Sequence, residues 1–321
     1  MRKAYAVPVS ALWNQVDPVF ASAIFVLGLA FGSFLNVCIY RLPLGISVVT
    51  PRSACPKCKH GIALYDNMPV LSWLILRGRC RYCKAKISPR YLIIELLTGL
   101  LFLLCYWYFG FTISMVKYCA FGFLVLGLIF TDADTKLLPD KLTLTGLALG
   151  IAFSLFVPVN DLVSQFLPGM VSLPFSGDIS ERLFSLLDSL LGAAVGASFI
   201  YGAGAIYLRW RGTEGMGFGD VKLMAMIGAF LGVKLTVLTI FSASLAGSIV
   251  GLATVLIVWL KRTRRFAKRF ADAAAARQRA WQSAQVVYRN FQMPFGVFLG
   301  SMALVALFFG DRFLHWYGRF F

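Results

Sequence analysis

Long apolar stretches without charge dominate this chain and leave few ways to fold it. Val19 to Tyr40 contains no Asp, Glu, Lys or Arg. Similar runs recur through most of the remaining sequence, and about 20 apolar residues suffice for one helical span of a bilayer. The chain has 321 residues, is 59% hydrophobic and has a mean hydropathy of +0.76. Soluble domains do not sustain such runs, so the fold class is an all-α polytopic membrane protein. The first run is too long for a signal-peptide core and lacks a small-x-small cleavage site, which makes it a retained span.

The spacing predicts eight transmembrane helices, at about 19–40, 91–109, 112–131, 141–158, 183–208, 220–233, 235–260 and 294–310. The sixth is short, covering only about 20 Å at 1.5 Å per residue. Charge provides the check on it. Segment 41–90 has ten Lys and Arg against the single acid Asp66, and segment 261–293 has nine against Asp272. Basic loops stay cytoplasmic, and both of these fall inside only if the sixth span exists. The net charge of +17 is then explained by orientation, with no nucleic acid as partner. The expected layout is a periplasmic segment 1–18, a first span 19–40, a cytoplasmic metal-binding domain 41–90 and a membrane domain 91–321. A basic cytoplasmic insert at 261–293 interrupts the last of these. That insert reads either as an amphipathic helix on the anionic inner leaflet or as a solvated helical linker. No internal repeat stands out.

Two cysteine pairs lie in the first basic segment, Cys55-Pro56-Lys57-Cys58 and Cys80-Arg81-Tyr82-Cys83. Each CxxC turn aims two thiolates at one point, and two such turns close a tetrahedral zinc site. A reducing compartment disfavours disulfides. A closed Cys₄ site leaves no position for water, so its role is structural, and metal would supply much of the folding energy of so small a segment. Cys38, Cys105 and Cys119 fall in spans and read as packing residues.

Carboxylates at membrane depth are costly and usually face a protein interior or a water-filled cavity. Asp220 closes Gly215-Met216-Gly217-Phe218-Gly219-Asp220. The glycines, Gly217 and Gly219 nearest the acid, permit unusual backbone angles and close approach of an extended substrate. Asp220 also reads as a helix cap, which is compatible with catalysis. On the other side, Asp132, Asp134 and Asp140 cluster between two spans, and sequence alone does not single out one partner. Asp140 follows Pro139 as an ordinary helix start, Asp134 reads as solvated, and Asp132 is the most membrane-proximal. The span count puts Asp132 and Asp220 at the same cytoplasmic depth, as an aspartyl dyad sharing a proton over a water molecule requires. Glu95, Lys117 and Asp188 read as snorkelling or paired acids and bases. Gly192, Ala193, Gly196, Gly202 and Gly204 read as a helix-packing surface.

Ordered motifs along most of the chain give a resemblance. They are Gly32-Ser33-Phe34-Leu35-Asn36-Val37, Tyr40-Arg41-Leu42-Pro43, the first knuckle, Asp66 to Trp73, Leu76 to Cys80, Tyr91 to Gly99, Asp132 to Thr143, and Gly215 to Asp220. In these the sequence resembles the bacterial type IV prepilin leader peptidases, bifunctional enzymes that also N-methylate the cleaved product. The resemblance implies that Asp132 and Asp220 are catalytic, that Cys55, Cys58, Cys80 and Cys83 bind Zn²⁺, and that S-adenosylmethionine is the methyl donor. It further implies prepilin or type II secretion pseudopilin substrates, cut after a Gly at the cytoplasmic face of the bacterial inner membrane. The loop 159–182 and the basic insert are longer than the family pattern. No Gly-rich fingerprint marks a site for the donor. Two rival readings are a transporter with a cytoplasmic zinc domain and a peptidase without methyl transfer. Against a transporter, both acids sit at one face rather than at the midplane.

Overall fold

The computed structural model describes residues 17–159, 161–166, 177–213, 215–267, 273–290 and 294–319. Most of the expected 1–18 segment and part of the 159–182 loop lie outside them. The described residues are built of helices, with two isolated β-bridges and no strand.

Helix α1 is Pro18–Arg41. Its start is fixed locally: Asp17 caps it, accepting from the Val19 amide at 2.8 Å, and Pro18 occupies a position where no N–H is missed. Short α2 is Leu71–Ile75. Then come α3, Arg90–Phe109, α4, Ile113–Thr135, and α5, Asp140–Ser154. A five-residue α6, Leu162–Phe166, precedes α7, Gly177–Arg211. Last are α8, Phe218–Ala267, α9, Ala273–Asn290, and α10, Phe295–Tyr317. Six of these, α1, α3, α4, α7, α8 and α10, are long and apolar enough to cross a membrane. On α8, Phe241, Leu245, Ile249, Leu252 and Leu256 are exposed at helical spacing, a stripe suited to lipid.

The expected fourth span is shorter than its sequence range, because α5 has 15 residues. The expected sixth and seventh spans form one element, α8, broken at Gly232, whose φ of 78° lies where only glycine is comfortable. There the second stretch acquires a cap from a distant loop: the Asp161 carboxylate accepts from the Lys234 amide at 3.0 Å. The stretch 233–267 then runs for roughly 50 Å, well past a 30 Å hydrocarbon layer. Its far end is covered by α9, where Trp259 meets Trp281 edge-to-face and Arg262 donates to the Ser283 carbonyl at 3.2 Å. Over Ala273–Asn290 the insert is therefore helical, and it touches the end of α8.

Two further expectations need correcting, and a third is met in part. Lys117 does not snorkel: it is fully buried in α4, its Nζ has no hydrogen-bond partner among the described residues, and it lies 5.3 Å from the Tyr118 ring centroid. Asp188 caps α6, accepting from the Asp161, Val163 and Ser164 amides and the Ser164 hydroxyl. Of the small residues in α7, Gly192 meets the Gly228 carbonyl and Gly196 the Met224 carbonyl, so α7 and α8 touch backbone to backbone. Gly202 faces open space instead.

Candidate active site and metal centre

Asp132 sits in the last turn of α4, which ends on Lys136 in the left-handed conformation with its amide bonded to the Asp132 carbonyl at 2.9 Å. The carboxylate is 5% exposed. One of its oxygens, Oδ2, accepts from the Val297 amide at 3.0 Å, and the Gly296 backbone also reaches it. Both amides belong to the first turn of α10, where helix N–H groups are unpaired and favour an anion. Asp220 lies in the first turn of α8 and is 9% exposed. The Gly217 backbone reaches its carboxylate, an arrangement like the acidic half of a capping box. The two acids lie within electrostatic reach of each other.

Leu138 joins the two sides. A Cβ on Gly219 would meet the Leu138 Cβ at 3.0 Å, and one on Gly296 would meet Asp132 Oδ2 at 2.9 Å and the Leu138 Cδ1 at 3.3 Å. Close approach thus accounts for Gly219, and Gly215 lies under the Tyr207 ring. Neither they nor Gly217 has positive φ, so the expected unusual backbone angles are absent. Gly217 faces open space, its nearest outside atom at 3.9 Å.

The neighbouring acids are neutralised by bases. Asp134 pairs with Arg90, which also donates to the Phe130 carbonyl at 3.1 Å, and Asp140 pairs with Lys222 at 2.6 Å. Among the described residues neither Asp132 nor Asp220 has such a partner. Two nearly buried acids within electrostatic reach, neither of them in an ion pair among the described residues, can hold one proton between them and orient a water. Arg90, Leu138, Gly296 and Val297 escaped sequence reading. The Pro294-Phe295-Gly296 entry to the last span was the available signal, since proline starts a helix and glycine admits a neighbour.

The four knuckle sulfurs lie within 4.8 Å of one another, and Cys55 Sγ to Cys83 Sγ is 3.7 Å. Zinc–sulfur bonds of about 2.3 Å in a tetrahedron place sulfurs about 3.8 Å apart, so the cluster fits zinc. Each knuckle is closed by the same backbone bonds. Lys59 and Lys84 donate to Cys55 and Cys80, Cys55 and Cys80 to His60 and Ala85, and Ile62 and Ile87 to Ser53 and Gly78. Lys59 and Lys84 share positive φ, 59° and 56°. The knuckles are copies 25 residues apart, a short repeat that sequence reading overlooked.

Two family profiles match the chain. The Bacterial Peptidase A24 N-terminal domain matches residues 26–109, and the Type IV leader peptidase family matches 119–252. A protein of Stutzerimonas stutzeri named Prepilin leader peptidase/N-methyltransferase is 33% identical over 312 residues, covering 89% of this chain and 90% of its own. The chain belongs to the type IV leader peptidase family. Two relatives of the same name support this. The one from Pseudomonas aeruginosa is 33% identical over 319 residues, 92% of each chain. The one from Myxococcus xanthus is 41% identical over 249 residues, 77% of this chain and 67% of its own. No solved structure matches. Within this leader peptidase, the N-terminal profile contains all four cysteines and Glu95, whereas the second contains both Asp132 and Asp220.

Proposed function

We propose that this leader peptidase cleaves type IV prepilins or pseudopilins after a Gly at the cytoplasmic face of the inner membrane, through Asp132 and Asp220. One observation carries the choice: of the acids near the site, only these two are nearly buried and free of a basic partner, while Asp134 and Asp140 are paired. The ionised aspartate takes a proton from water as the protonated one polarises the scissile carbonyl, and the tetrahedral adduct collapses with that proton passing to the leaving amine. The α10 amides hold Asp132 in place during the exchange. The open backbone at Gly217 is the position where an extended substrate strand can approach.

The exposed terminus is then N-methylated. When bound, S-adenosylmethionine would supply the methyl group from its sulfonium to this amine, whose proton would pass to solvent. A cavity of about 200 Å³ between the end of α1 and the knuckle segment is the candidate seat for this donor. Arg41, Arg52, Ser53 and Asn67 line it beside apolar Val37 and Ile62. Guanidinium groups suit the donor's carboxylate and the apolar wall suits its adenine. Zn²⁺ held by Cys55, Cys58, Cys80 and Cys83 would fix this segment's fold and take no part in either reaction.

The test is prepilin cleavage by membranes bearing wild type, Asp132→Asn or Asp220→Asn, with product masses measured. Expected are cleavage lost in both variants and a product heavier by one CH₂ only with wild type and donor together. Full cleavage by both variants would overturn the dyad, and cleavage without mass gain would leave a peptidase alone.

A further inference from the structure

Glu95 is 8% exposed, one and a half turns into α3, and no Lys, Arg or His pairs with it among the described residues. Such a buried carboxylate needs other partners, and it has two. Its Oε2 accepts from the Val70 amide at 2.8 Å, 25 residues away, and the Ser33 hydroxyl of α1 also reaches it. It is wedged in place, because a Cβ on Gly32 would strike the Glu95 Cα. Val70 itself has φ 62° and ψ −53°. For a β-branched residue that conformation is strained, and it persists only where its surroundings enforce it. The Glu95 carboxylate holds the amide of this residue.

Three residues before Val70, Asn67 ends a 3-10 turn (Leu64–Asn67) and lines the cavity beside Arg41 and Arg52. The residue beside it in the turn is also held, because Asp66 takes a two-pronged bond from Arg81 at 2.8 and 2.6 Å. From this geometry we infer that Glu95 is a positioning residue for methyl transfer, clamping the Asn67–Val70 segment of the knuckle region onto the membrane domain and so setting one wall of the donor cavity. It touches none of the groups that hold Asp132 or Asp220, so peptide cleavage does not depend on it. The assignment rests on the proposed methyl transfer at this cavity.

The experiment uses the full-length enzyme in nanodiscs, with Glu95→Ala, Glu95→Gln and the milder Ser33→Ala. Four quantities are read: cleavage, methylation against donor concentration, zinc content, and hydrogen exchange at the Val70 amide. Glu95→Ala is expected to keep zinc and cleavage, to speed Val70 exchange, and to raise the KM for the donor by about tenfold or more, since small misplacements are costly. Glu95→Gln keeps an acceptor oxygen and is expected to restore exchange protection and most of the affinity. Should Glu95→Ala fail to fold, Ser33→Ala is expected to show the same pattern at smaller size. Unchanged Val70 exchange in Glu95→Ala would overturn the clamp. Parallel loss of cleavage and methylation at normal zinc content would overturn its selectivity. Loss of methylation in Glu95→Gln with Val70 still protected would make the carboxylate a chemical participant and overturn the positioning role. A wild type that cleaves but never methylates would instead refute the methyltransferase reading, and the exchange data would still decide the clamp.

Discussion

Asp132, Asp134 and Asp140 lie within nine consecutive positions, and what separates them is their partners. Arg90 and Lys222 pair with the latter two, while Asp132 accepts from backbone amides and has no ion pair among the described residues. Asp134→Asn is therefore expected to keep most cleavage, while Asp132→Asn loses about 10²–10⁴-fold, the usual worth of a general acid or base. Initial rates on one prepilin separate the two. Gly296→Ala is a subtler probe, because its Cβ would lie 2.9 Å from Asp132 Oδ2 and displace the carboxylate. Lower kcat with unchanged prepilin binding is expected. Asp66 responds to acid in a definite direction. Hydrogen bonding to Arg81 holds its carboxyl below the usual carboxylate range. Its contribution to stability is thus present above the unfolded pKa of about 3.9 and lost as pH falls through the lower folded value. Arg81→Gln is expected to flatten that acid limb, read by the exchange of amides in the 64–67 turn. At this scale sequence reading favoured Asp132 for its membrane-proximal place but could not foresee the pairing of Asp134 and Asp140, since their bases lie 44 and 82 residues away.

Among elements, the knuckle pair and the α7–α8 crossing follow most directly from composition. CxxC spacing announced the four-cysteine cluster, and the matching backbone bonds show that Lys59 and Lys84 shape its two halves alike. One zinc per chain is expected by elemental analysis, falling in Cys58→Ser, with proteolysis of segment 41–90 faster after chelation. The glycines of α7 announced close packing. Gly192→Ala would press a methyl into the Gly228 carbonyl, and a loss of about 1–3 kcal/mol is expected from such overpacking. Thermal unfolding in detergent measures it, with Gly202→Ala, which faces open space, as the neutral control. Less was legible at Gly232. Sequence suggested two spans there, but not that a distant Asp161 would cap the second, because capping across a loop leaves no local pattern.

Across the whole molecule, hydropathy reading located the helices well because lipid demands length and apolarity from each span in turn. It failed where protein replaces lipid. Lys117 has no reason to reach water when α4 is enclosed by neighbours. The link between Asp132 and the first turn of α10 also bears on how the enzyme comes into being. Both aspartates are synthesised well before Gly296 and Val297. A nascent chain that has inserted everything up to α9 possesses its two acids but lacks the amides that hold one of them. On the proposed mechanism, proteolytic competence would thereby be tied to insertion of the final span, and a half-made copy would not cut what passes beside it.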